Sequence, residues 1–136
     1  MFLAATAIAS HLSNTPHFQT WDVRSGLSLT DNQQYPAVSI RILGAGVDGA
    51  DTSTVSPSVA VRLILERSDT ADQKMDGAFR AAHYQLHGLQ LTDSSGHTWA
   101  RLKLSAVRDL PLADGYAGCE LIFETHSEFT SKHCEC

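Results

Sequence analysis

Apolar residues recur at helical spacing at the start of the chain. Phe2, Ala5, Ile8, Ala9 and Leu12 fall three or four apart, so residues 1–13 are predicted as a helix that Ser13-Asn14-Thr15-Pro16 ends. The period then drops to two. Val38, Ile40 and Ile42 alternate over Ala37–Leu43, behind Pro36, and Val59, Val61, Leu63 and Leu65 alternate over about Ser58–Glu66, with Arg62 and Glu66 turned the other way. Each run predicts a strand with one buried face. Between them Gly44 to Ser58 reads as loop, because it is Gly, Ala, Asp, Ser and Thr closed by Pro57. The two strands are therefore expected to form a hairpin with a long, glycine-rich tip. In residues 17–35, Trp21 and Val23 fit a short strand and Leu27 and Leu29 a packed loop.

Thr70 opens a second helix. Thr70-Ala71-Asp72-Gln73 has the form of a capping box. Ala71, Met75, Ala78, Phe79, Ala82, Leu86 and Leu89 make its buried stripe, Asp76 and Arg80 an outer ion pair, and Gly88 suits its C-terminal end. Asp93-Ser94-Ser95-Gly96 is a turn. A third strand is expected from Trp99 to Arg108, with Ala100, Leu102, Leu104 and Ala106 on one face. A loop follows from Asp109 to Gly115, and a fourth strand runs from Tyr116 to about Glu128. There Cys119, Leu121 and Phe123 point inward, while Glu120, Glu124 and Glu128 point outward beside Arg101 and Lys103. That outer row reads either as a solvated, salt-bridged face or as an acidic patch turned toward a lumen or partner. The expected architecture is an α+β domain, a mainly antiparallel four-stranded sheet packed by two helices in the order α-β-β-α-β-β. One domain fills residues 1–136, with 130–136 as a polar tail.

Composition narrows the function. The chain has 136 residues, 43% of them hydrophobic, so it can bury a core without disulfides or metal. No apolar run approaches the ~20 residues of a membrane helix. Only 18% are charged, and 25 are Ser or Thr, a surface that suits burial against partners. A net charge of −5 argues against a sequence-independent nucleic-acid binder and suits a channel through which DNA passes without adhering. Three cysteines, Cys119, Cys134 and Cys136, make no secreted disulfide framework and point to a reducing, cytosolic origin. The first ten residues resemble a signal peptide only faintly, since they lack a basic start.

Candidate chemistry is sparse. Gly44-Ala45-Gly46-Val47-Asp48-Gly49 has the GxGxxG spacing of a dinucleotide loop. Yet a strand follows it instead of a helix, and Asp48 and Asp51 repel phosphate. His83 and His87 have the i,i+4 spacing of zinc ligands but lack the Glu of HExxH. His133-Cys134-Glu135-Cys136 offers soft ligands at the very end of the chain. Cys119 reads as a small core residue, and no Gly-x-Ser-x-Gly elbow occurs. No catalytic, metal or cofactor residue is assigned, and no cofactor is expected.

Five features in this order resemble the tail terminator (tail-completion) proteins of long-tailed bacteriophages. They are the alanine-rich first helix, the tetrad Tyr35-Pro36-Ala37-Val38 entering a long strand, the Gly-Ala-rich acidic segment Gly44–Thr54, the amphipathic helix after the second strand, and the closing strand Gly115–Glu124. The resemblance implies a non-enzymatic virion protein of the tail and neck, made in the host cytoplasm. It would form a homo-oligomeric, hexameric ring on the last ring of tail tube protein, end tube growth, and offer a surface to the neck or head-completion protein. DNA would pass through the lumen without specific binding, and no membrane is involved. Gly44, Gly46, Asp48, Gly49, Asp51 and Thr52 would lie in the assembly loop. Glu120, Glu124 and Glu128 would face the lumen or a partner. Two alternatives stay open: another neck component, such as a head-completion or stopper protein, and a small α+β enzyme or ligand-binding domain built on His83 and His87.

Overall fold

The computed structural model describes residues 1–26 and 34–132. The first helix, α1, spans Phe2–Ser13 and buries Ala4, Ala5, Ile8, Ala9 and Leu12. Phe2, expected on that face, is 51% exposed; with Leu3 it lines a groove beside Ile40 and Ile42. Two hydroxyls close the helix. Ser13 Oγ donates to the Ala9 carbonyl (2.7 Å) and Thr15 Oγ1 to that of His11 (3.0 Å), satisfying acceptors that the last turn leaves without partners. A single 3-10 turn, Pro16–Phe18, then drops Phe18 into the core.

The remaining elements are β1 (Asp22–Ser25), β2 (Ala37–Asp48), β3 (Thr52–Glu66), α2 (Ala71–Leu86), β4 (Lys103–Asp109), β5 (Tyr116–Glu124) and β6 (Ser127–Thr130). They form a six-stranded sheet in the order β1-β2-β3-β5-β4, with β6 paired to β3. The sheet is mixed, since β1 runs parallel to β2. This corrects the expected four-stranded antiparallel sheet and its α-β-β-α-β-β order. β1 lies where Trp21 and Val23 fit a short strand, but its four half-buried residues give no alternation that would place it in the sheet. The expected third strand loses its first half because the amides of Trp99 and Leu102 serve the carbonyls of Leu91 (2.8 Å) and Leu89 (2.9 Å). The expected fourth strand breaks in two at Thr125, whose hydroxyl turns aside to the Ala100 carbonyl (2.6 Å).

Both helices cover one face of the sheet. Val38, Ile40, Val59, Val61, Leu63, Leu121 and Phe123 meet Ile8, Leu12, Ala78, Ala82 and Leu86 there. Each fully buried large side chain contributes roughly 1.5–3 kcal/mol. On α2, Met75 and Phe79 pack at the margin of this core, and Gly88 leaves the helix at φ +83°. Asp76 and Arg80 pair at 2.9 Å in solvent, which adds only a few tenths of a kcal/mol. The capping box does not form. No side chain caps the helix start, and the Thr70 hydroxyl pairs with that of Ser68 at 3.3 Å instead. No described helix is long and apolar enough to cross a membrane.

Trp99 is the largest fully buried side chain, and a buried indole N–H needs an acceptor. Asp93 supplies it at 3.1 Å. The same carboxylate accepts the Ser95 hydroxyl (2.5 Å), the Ser95 amide (3.0 Å) and the His97 amide (3.1 Å). The Ser95 hydroxyl, with the indole and the two amides, outweighs desolvation and holds the Asp93 carboxyl down at about 2. Replacing Asp93 with Ala should cost about 1–3 kcal/mol in urea denaturation, since it leaves buried donors without partners. Because the folded value lies below the ordinary 3.8, the Asp93 contribution is complete above that pH and fades as pH falls toward about 2. The acid limb of the stability curve should be shallower in D93A than in the parent.

Candidate functional site

Beyond the helices β2 and β3 run on as an arm. Ala45 lies opposite Pro57, Gly46 opposite Ser56, Val47 opposite Val55 and Asp48 opposite Thr54. β6 pairs with the other side of β3, from Thr52↔Thr130 to Val55↔Ser127. The expected Gly44–Ser58 loop is thus mostly strand. A ladder needs only backbone groups, and β-branched Thr52, Thr54 and Val55 favour it. The turn itself is Gly49–Asp51. Gly49 sits at φ +103°, where a Cβ would run into the Thr52 carbonyl oxygen, and its amide donates to Asp48 Oδ1 at 2.8 Å. Of the six residues assigned to assembly, Gly44, Gly46 and Asp48 lie on β2, Gly49 and Asp51 in the turn, and Thr52 opens β3. All but Thr52 are exposed. The GxGxxG run is extended strand and turn with no helix after it, so it forms no phosphate cradle.

The arm is fastened at its base. The Ser127 hydroxyl donates to the Thr98 carbonyl at 2.7 Å and meets His97 Nε2 at 2.6 Å. The Phe129 ring stacks on His97 at 4.3 Å and leans on Trp99 at 5.7 Å. The Asp93 turn therefore holds β6, and β6 holds the arm.

The outward glutamates separate. Glu120 is buried between two guanidinium groups, with Arg62 Nε at 2.7 Å and Arg108 Nη2 at 2.9 Å. The register explains this, because Arg62 and Arg108 both lie directly opposite Glu120 on the flanking strands. Burial pushes the Glu120 carboxyl up, but the two arginines together outweigh it and hold it below its ordinary value. Glu124 is exposed opposite Lys103, and Glu128 is exposed on β6 opposite Thr54. Arg101 turns away to the Gly88 carbonyl at 3.2 Å. The outer row is thus one salt-bridged residue, Glu120, and two separately exposed ones, Glu124 and Glu128. Nearby, the loop after β4 closes on the sheet: a Cβ at Gly118 would meet Leu112 Cδ1 at 2.8 Å.

The histidine pair is structural in its contacts. The rings of His83 and His87 stack at 5.0 Å, and His87 Nδ1 accepts the Leu104 amide at 3.1 Å. Among the described residues no group of three His, Cys, Asp or Glu is placed to hold a metal. The His133–Cys136 run lies outside the described residues. Cys119 is half-buried, and burial followed by the charges of Asp109 and Glu120 pushes its thiol up, away from a reactive thiolate.

No protein-family model matches the chain, and no curated protein matches it. Among solved structures, a chain from the virion of a native gene transfer agent particle shares the fold with a TM-score of 0.66. Identity is 12%, and the match covers 92% of this chain and 94% of that one. One fold accounts for nearly the whole of both chains.

Two substitutions separate arm from core. Gly49→Ala should destabilise the turn by about 1–3 kcal/mol through its positive φ, whereas Gly46→Ala, with nothing within 4 Å of an added Cβ, should leave the melting temperature unchanged. Amide exchange at Asp48 and Thr54, which face each other across the hairpin, should quicken only in the first variant. Glu120→Gln should lower stability by about 1–3 kcal/mol, because a weaker acceptor is left among charged donors. The Glu120 contribution is complete above the ordinary 4.5 and is lost as pH falls through the lower folded value. Urea titrations at neutral and acid pH should therefore show the gap between E120Q and the parent closing in acid.

Proposed function

We propose that the chain is a structural protein of a phage-like virion, and within it the tail terminator. In this reading it forms a closed hexameric ring on the last ring of tail tube protein. It ends tube growth and presents its other side to the head-completion protein of the neck. DNA passes through the centre without specific binding. The protein is made in the host cytoplasm, acts in the particle, and catalyses nothing.

The observation that carries this reading is the likeness, over almost the entire chain, to a chain of a gene transfer agent virion. Two further features support it. The arm projects small, polar and acidic residues that add little to the core, as a contact element would. The net charge of −5 suits a passage that DNA must leave freely. Gly44, Gly46, Asp48, Gly49, Asp51 and Thr52 then meet the tube or a neighbouring subunit. Glu124 and Glu128 serve as the exposed carboxylates of a lumen or partner face, while Glu120 braces the sheet behind them.

The test is removal of the chain from producing cells. Heads and tail tubes should accumulate unjoined, with tubes of irregular length, and restoring the chain should restore joined particles. Joined particles in normal number without it would contradict the proposal.

A further inference from the structure

Among the described residues the sheet has open edges on both flanks, and two of them, the β2 arm and β4, lie on opposite sides of it. β1 pairs only with Ala37–Ile40 of β2, so beyond Ile40 the outer side of β2 has no neighbouring strand among the described residues. At the far end β4 pairs with β5 as its one neighbouring strand among the described residues; His87 Nδ1 takes the outward Leu104 amide, so the open stretch lies beyond it, around Val107. Open edges of this kind template the addition of another strand.

The backbone of the arm is oriented for this. Pro57, opposite Ala45, has no N–H, and its carbonyl accepts the Thr125 amide (3.5 Å) on the far side of β3. Ala45 is therefore a position whose own N–H and C=O point away from β3, out of the open edge. Val47, two residues on, repeats that orientation. Both edges also carry exposed apolar side chains: Leu43 and Val47 on β2, Val107 on β4.

Charge selects which edge meets which. Beyond Ile40 the arm carries Arg41, Asp48 and Asp51, and β4 carries Lys103, Arg108 and Asp109. The first edge is thus net −1 and the second net +1. Strand sense agrees. β2 and β3, β3 and β5, and β5 and β4 are each antiparallel, so β4 runs opposite to β2. A second copy set alongside in the same orientation brings its β4 antiparallel to this β2.

We propose that the open edge of the β2 arm takes the β4 edge of a second copy of this chain, so that one sheet continues from subunit to subunit. The inference rests on the ring reading above and names its joint. Such a contact is head-to-tail: each copy uses one edge to give and the other to receive, and the chain of contacts ends only when a ring closes.

The test uses the full chain in a dilution series, with native mass spectrometry and amide hydrogen exchange. The expected result is an oligomer in which exchange at Ala45, Val47 and the outward-facing Val107 amide of β4 slows about tenfold or more. Ala45→Pro removes an outward N–H and no bond to β3, so it should keep the parental melting temperature yet lose the oligomer. Val47→Lys, which leaves the backbone intact, should lose it too. An oligomer whose edge amides exchange as in the monomer, or one that survives both variants, would overturn the strand pairing and leave the ring reading standing. A chain that stays monomeric up to its solubility limit would also overturn the pairing, because both complementary edges are then present and do not join. The ring reading is judged separately by the loss of joined particles.

Discussion

A buried indole and a buried carboxylate satisfy each other where the Asp93 turn meets the core. Trp99 fills the core only because Asp93 accepts its N–H, and Asp93 stays charged there only because Ser95, His97 and Trp99 all donate to it. The consequence reaches outward through a short chain of contacts. His97, positioned by that turn, meets Ser127 and stacks on Phe129. Ser127 and Phe129 belong to β6, and β6 is the strand that turns a two-stranded hairpin into a three-stranded arm. An isolated hairpin is marginal in water, whereas a third strand gives it support. The arm keeps its shape because the core reaches it through one turn.

The other face of the sheet depends on a second compensation. Glu120, Arg62 and Arg108 stand in one row across β3, β5 and β4. A lone carboxylate buried there would favour protonation. Two arginines keep it charged and join three strands by their side chains as well as by the ladder. On the helix-free face this ion-pair row sits beside Ala37, Ala60 and Ile122, which are buried there without a helix over them.

Periodicity revealed what packs against the helices and little else. The helices and the core halves of β2 and β3 were legible because one face of each is buried. The arm was not. Its residues bury neither face, so no alternation marks it, and glycines and Pro57 suggest a loop. The β-branched Thr52, Thr54 and Val55 were the only local sign of strand. β1 showed only as a short strand at Trp21 and Val23, and its parallel place beside β2 was hidden because four half-buried residues carry no pattern; the break at Thr125 was hidden because it depends on a partner carbonyl twenty-five residues away. The acidic residues of the candidate site were legible as residue types. That Glu120 is neutralised while Glu124 and Glu128 stay exposed follows from register, which composition does not encode.

Among the described residues, the β2 arm and β4 leave backbone edges unpaired beside a buried core. In the proposed ring those two edges would meet their counterparts on neighbouring copies. The most direct measurement is averaged imaging of the intact particle with this chain labelled. A closed hexameric ring at the head end of the tail tube, its sheets joined edge to edge, is the expected result. A single copy, or no copy in the particle at all, would contradict it.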